Sequence, residues 1–99
     1  MGDERTEPGP RTFMVIERFR QGDARPVYER FRDRGRLAPD GLTYVASWVD
    51  TELCCCYQVM EARAPGLLEE WMSRWQDLVE FEVHEVISSA EATRRVMAE

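Results

Sequence analysis

An α+β domain is predicted by three observations. Stretches with two-residue alternation and stretches with helical spacing follow one another as strand, helix, strand, strand, helix, strand. The links between them are short. At 99 residues, with 43% hydrophobic and 32% charged side chains, the chain has the composition of a globular protein and the length for one core.

Residues 12–19 give the first strand. Phe13 and Val15 fall on one face, Met14 and Ile16 on the other, so the strand is expected to be central and covered on both sides. Which pair faces the helices is left open by parity alone. Gln21-Gly22-Asp23 forms a turn, with Asp23 as N-cap and Pro26 in the first turn of the first helix. Val27, Tyr28, Phe31 and Leu37 supply its apolar stripe, and Gly35 its stop. Pro39-Asp40-Gly41 is a turn, because Pro presets φ and Gly permits positive φ.

Residues 42–50 and 53–61 read as an antiparallel hairpin joined by Thr51 and Glu52. Pro65 opens the second helix, whose stripe is Leu68, Trp71, Met72 and Trp75. Residues 79–87 alternate cleanly: Val79, Phe81, Val83 and Ile87 on one face, Glu80, Glu82, His84 and Val86 on the other, with Glu85 an exception on the apolar side. Ser88 and Glu91 match a capping box for a tail helix over 89–98. The organisation is thus a flexible tail over 1–11, a domain over 12–88 and a helical tail over 89–99.

This order, with right-handed crossovers, is the ferredoxin-like βαββαβ arrangement: a four-stranded antiparallel sheet in strand order 4-1-3-2 with helices on one face. The opposite face of strand one is apolar under either parity. A second copy is its simplest cover, giving a two-fold homodimer of the dimeric α/β barrel type.

Net charge is −6, which argues against nucleic acid and anionic membrane as partners. The longest apolar run falls far short of the ~20 residues a membrane span needs. The opening MGDERTEPGP is too polar for a secretory signal. Residues 18–36 hold seven Arg against three acids, and residues 50–91 hold ten acids against two Arg. The expected role of the basic stretch is a solvated helix face partly paired with the acidic half. The sharper reading makes Arg25, Arg30 and Arg32 a docking surface for an acidic partner. Cys54, Cys55 and Cys56 are consecutive, which suits neither a disulfide framework nor a zinc knuckle. They read as small apolar residues of a reduced, cytoplasmic protein.

FMVIERF (13–19), GDARPVYERFRDRGR (22–36), PDGLTYVASWVD (39–50), CYQVME (56–61), EEWMSRWQDLVEFEV (69–83) and SAEA (89–92) together resemble an uncharacterised family of short bacterial proteins near the dimeric α/β barrel proteins. The resemblance spans about residues 12–92 and joins several blocks in order. It implies the ferredoxin-like fold and a back-to-back dimer, and supplies no catalytic residue. The family pattern has one cysteine, where Cys56 stands, an acidic residue where Ala64 stands, and more apolar residues at His84 and Glu85.

Candidate chemistry rests on polar side chains placed on strands. Glu17 and Gln58 fall on the two central strands and have the best chance of burial, where they need hydrogen-bond partners. Trp48 is a candidate pocket wall together with a tryptophan of the second helix. His84 is the side chain expected to titrate near neutrality and shares its face with Glu82. Glu17, Trp48, Gln58 and His84 are therefore the ligand-binding candidates. No phosphate loop, HExxH, GxSxG or nucleotide fingerprint is present, so no metal and no cofactor is expected. The function expected is a small soluble homodimer with a pocket for a small apolar ligand. The alternative, by analogy of fold, is a cofactor-independent monooxygenase or isomerase.

Overall fold

The computed structural model describes residues 9–98. The expected tail over 1–11 lies mostly outside the described residues. Its last member, Arg11, already belongs to the first strand.

The elements are β1 (Arg11–Phe19), α1 (Arg25–Arg34), β2 (Leu42–Val49), β3 (Cys55–Ala62), α2 (Pro65–Ser73), β4 (Val79–Val86) and α3 (Ser89–Met97). All strand pairs are antiparallel, in the order β2-β3-β1-β4. This is a ferredoxin-like arrangement with β1 and β3 in the centre.

Burial resolves the parity of β1. Phe13, Val15, Glu17 and Phe19 are buried against the helices, while Met14 and Ile16 face the open side, half-buried. Met60 and Ala62 of β3, Leu42 of β2, Val79 of β4, and Leu68, Trp71 and Trp75 complete the core. The stripe of the second helix thus packs as its spacing predicts, with Trp75 just past the helix end. Ile87, expected to extend β4, lies beyond its last residue and is exposed.

Two local features depart from simple alternation. The hairpin loop is longer than two residues. The Asp50 carboxylate accepts hydrogen bonds from the backbone N–H of Cys54 (2.7 Å) and Cys55 (2.9 Å), and Leu53 adopts a left-handed φ of 62°. These contacts hold Cys54 in the turn, so β3 begins at Cys55. In β2 a bulge falls between Tyr44 and Ala46. It puts Tyr44 (opposite Met60) and Ser47 (opposite Gln58) on the same, helix-facing side. Their hydroxyls hydrogen-bond at 2.8 Å.

Helix α1 starts at Arg25 with Ala24 as N-cap. Asp23, the expected cap, instead accepts from the Arg25 N–H at 3.1 Å. Gly35 ends the helix as expected, with φ 76°. Leu37 lies beyond it, in the loop to β2. No α1 residue is fully buried, and Tyr28 and Phe31 remain nearly half exposed. The helix is tied down instead at its edge. Arg30 holds Asp77 through two hydrogen bonds, donates to the Arg74 carbonyl and lies over the Trp75 ring. Arg18–Glu82 and Arg20–Glu80 pair in the same sense, the partial pairing of basic and acidic segments that the charge pattern suggests.

The Pro39-Asp40-Gly41 turn forms, with Gly41 at φ +93° and an added Cβ only 3.0 Å from a Leu67 side-chain carbon. Gly41→Ala is expected to cost about 1–2 kcal/mol for the left-handed backbone alone. Urea denaturation measures it; an unchanged midpoint would contradict the turn geometry. At the other end Ser88 caps α3, accepting from the Glu91 N–H at 3.0 Å. The Glu91 carboxylate pairs with Arg94 and Arg95. No helix among the described residues is long and apolar enough to cross a membrane.

Candidate functional site

The incomplete seal between α1 and the sheet leaves a half-open cavity of about 100 Å³. Its floor is the sheet: Glu17 and Phe19 of β1, Cys56 and Gln58 of β3, Ser47 and Val49 of β2. Val27, Tyr28 and Phe31 of α1 form one wall, and Trp71 and Trp75 another. The expected stripe of α1 therefore faces the sheet but borders a cavity, which is why it stays partly exposed.

Two charged groups meet here through one amide. Gln58 is 1% exposed and Glu17 8%. The Gln58 Nε2 donates to Glu17 Oε2 at 2.6 Å, and Arg36 Nη1 donates to Gln58 Oε1. An arginine only donates. It therefore fixes which way the Gln58 amide points, and so presents the amide N–H group to Glu17. Among the described residues Glu17 Oε1 has no hydrogen-bond partner, although the side chain is buried and lines the cavity.

Arg36 is itself held in place. Its guanidinium lies 3.7 Å from the Tyr44 ring centroid and 5.2 Å from that of Phe31. Its carbonyl accepts from both indole N–H groups, Trp71 at 3.0 Å and Trp75 at 2.9 Å. Both tryptophans thus turn apolar surface to the cavity and have their only donor satisfied.

Burial pushes the Glu17 carboxyl up to about 7, against the opposing pull of the Arg36 charge and the Gln58 hydrogen bond. Removal from water outweighs both because the site is poorly solvated. The Cys56 thiol is pushed up to about 12, by burial first and the neighbouring Glu17 second, so at neutral pH it is a thiol and not a nucleophile. The Tyr28 phenol is also raised, mainly by burial.

The four candidate residues separate into two places. Glu17 and Gln58 share the cavity. Trp48 pairs with Tyr57 on the opposite face of the sheet and is 62% exposed. His84, also on that face, contacts Glu82 at 2.6 Å on the other edge strand, roughly 14 Å from Trp48 by strand spacing. The pocket wall comes from Trp71 and Trp75, without Trp48. Glu82 also pairs with Arg18, and its carboxyl is held below the usual range by His84 and Arg18.

Arg36, Ser47, Tyr28 and Cys56 complete the site and were not among the candidates. For Ser47 the missing signal is the bulge. For Arg36 the available signal is its place one residue after Gly35, the helix stop, where the chain turns back across the sheet. Of the arginines in the docking surface considered above, Arg30 is engaged with Asp77 and Arg32 pairs with Asp33.

The described residues bring three metal-ligand types together at Asp50, Glu52 and Cys54. There the Asp50 carboxylate already serves the hairpin turn, and the cluster is a surface feature. All three cysteines are free.

Fold and site define a small α+β protein with a buried carboxyl, a tethered arginine beside it and an aromatic cavity between helix and sheet. The chain belongs to the family described as Domain of unknown function (DUF3303), whose model matches residues 11–99. No curated protein and no solved structure matches it.

Proposed function

We propose that the chain is a small-molecule-binding protein that works as a cytoplasmic homodimer. The observation that carries the binding function is the buried Glu17 carboxyl with one unpartnered oxygen in a cavity walled by aromatic rings. Concave, mostly apolar sites with few convergent polar groups are the usual form of small-molecule sites. A buried acceptor without a partner costs about 1–3 kcal/mol, which a ligand hydrogen bond offsets. The open face of the sheet supports the dimer. Met14, Ile16 and Val59 lie at its centre, and Tyr57 and Trp48 extend it, each at least 41% exposed. The same face of a second copy covers such a surface in one symmetric contact. Three free thiols fit a reducing compartment.

A melting-temperature screen with small apolar metabolites tests the binding function. An upward shift with at least one compound class is expected; no shift across a broad panel overturns it. Light scattering at micromolar concentration tests the assembly, and a monomer there overturns the dimer.

A second reading is favoured by the raised carboxyl of Glu17. A group ionising near neutrality can take a proton from a bound molecule and return it. That is the step a cofactor-independent isomerase or monooxygenase begins with. Turnover of a ligand from the screen, lost in Glu17→Gln even at saturating ligand, would support it.

A further inference from the structure

We propose that the ligand of this cavity is a flat, neutral, one-ring molecule carrying a hydroxyl, a phenol in chemical class, whose O–H donates a hydrogen bond to Glu17 Oε1. This inference rests on the binding function proposed above and specifies the ligand.

Four observations carry it. The cavity, at about 100 Å³, is of the order of the about 150 Å³ site that takes benzene. It is half open at Tyr28 and Phe31, so a ring fits with one edge at the mouth. Both indole N–H groups of its tryptophan wall are bound to the Arg36 carbonyl, and the remaining ring donor of the lining, the Tyr28 hydroxyl, belongs to a side chain that is 47% exposed. A ligand body therefore meets apolar surface. Among the described residues the deeply buried carboxyl of the lining keeps one unpartnered oxygen, Glu17 Oε1, an acceptor, because Gln58 Nε2 occupies Oε2 and Arg36 fixes that amide.

Charge balance sets the last property. The groups facing Glu17 are Arg36 from the loop after α1, Tyr28 from α1, and Cys56 and Gln58 from β3. Arg36 and an ionised Glu17 compensate each other through Gln58. A cationic ligand meets Arg36 and an anionic one meets Glu17, so a neutral hydroxyl is the group that disturbs neither. Hydrogen bonds from hydroxyls to carboxylates are among the stronger ones available.

The test is an NMR titration of the full-length protein with phenol, toluene and benzoate at about pH 8, where phenol keeps its proton. The indole N–H signals of Trp71 and Trp75 report on the cavity, and that of Trp48 reports on the other face of the sheet. The expected result is that phenol moves the Trp71 and Trp75 signals but not Trp48. Phenol should bind at least about tenfold more tightly than toluene, a difference of about 1.4 kcal/mol. That preference should collapse in Glu17→Gln, a variant that keeps the shape and the Gln58 hydrogen bond. Equal binding of phenol and toluene overturns the proposal while leaving a binding cavity. Tighter binding of benzoate overturns it in favour of Arg36 as the anchor. No response to any probe overturns the proposal, and a metabolite hit in the melting screen would then keep the binding function standing without it.

Discussion

Glu17→Gln is expected to remove a pH dependence of stability that the wild-type protein shows between about pH 5 and pH 8. In the folded protein burial raises the Glu17 carboxyl from 4.5 to about 7. Between those values the folded chain holds a proton that the unfolded chain has released. The contribution of this group is therefore most favourable below about 4.5, falls as pH rises, and is lowest above about 7. The size of the shift corresponds to about 3 kcal/mol, a large part of the stability of a small domain. Exposed carboxylates held below their usual range by arginines, such as Asp77 and Glu85, act in the opposite direction and at lower pH. They are common to both proteins and cancel in the comparison. Urea denaturation of wild type and variant at both pH values gives the answer. The variant should be the more stable protein at about pH 8, and the gap should close towards pH 5. Parallel pH profiles would mean that Glu17 is solvated and that the cavity has a different shape.

Trp71→Ala is expected to be the most damaging single change in the core. The side chain is 2% exposed and packs on Phe81 with ring centroids 5.7 Å apart. Truncation of a buried tryptophan costs about 3–5 kcal/mol, against a total of about 5–15 for a small domain. The change also removes one of the two indole donors on the Arg36 carbonyl. The damage thus reaches the site, because that carbonyl positions the arginine, which orients Gln58, which holds Glu17. Trp71→Phe separates the two effects by keeping most of the volume while removing the donor. It should cost about 1–2 kcal/mol. Thermal and urea unfolding measure both variants, and a loss under about 1 kcal/mol for Trp71→Ala would contradict the packing described.

The strand and helix order was legible because each element carries its own periodicity. The four strands, the helix opened by Pro65 and the Ser88 cap all follow from local pattern. So did the burial of Glu17 and Gln58, since the strand order put both on central strands. Three features were not legible, and each depends on something other than alternation. The facing of β1 could not be read because both of its faces are apolar near the start; the helices chose the face with Phe13 and Phe19. The bulge near Val45 shifts parity within β2, so Tyr44 joins Ser47 on the inner side while Trp48 goes to the outer one. Arg36 lies 22 residues from Gln58, in a loop with no periodicity at all. The intrinsic chemistry of His84 makes it a candidate, but the alternation that places it beside Glu82 also places it on the open face, away from the cavity. A candidate set chosen by residue type spans both sides of a sheet, and only the register divides it.

The most direct test of the central claim is native mass spectrometry of the protein purified gently from its own host. The claim predicts a dimer carrying one extra small mass for each protomer, released on activation and identifiable by fragmentation. Bare protomer mass in a monomeric protein would contradict both the cavity as a ligand site and the open sheet face as the contact between copies.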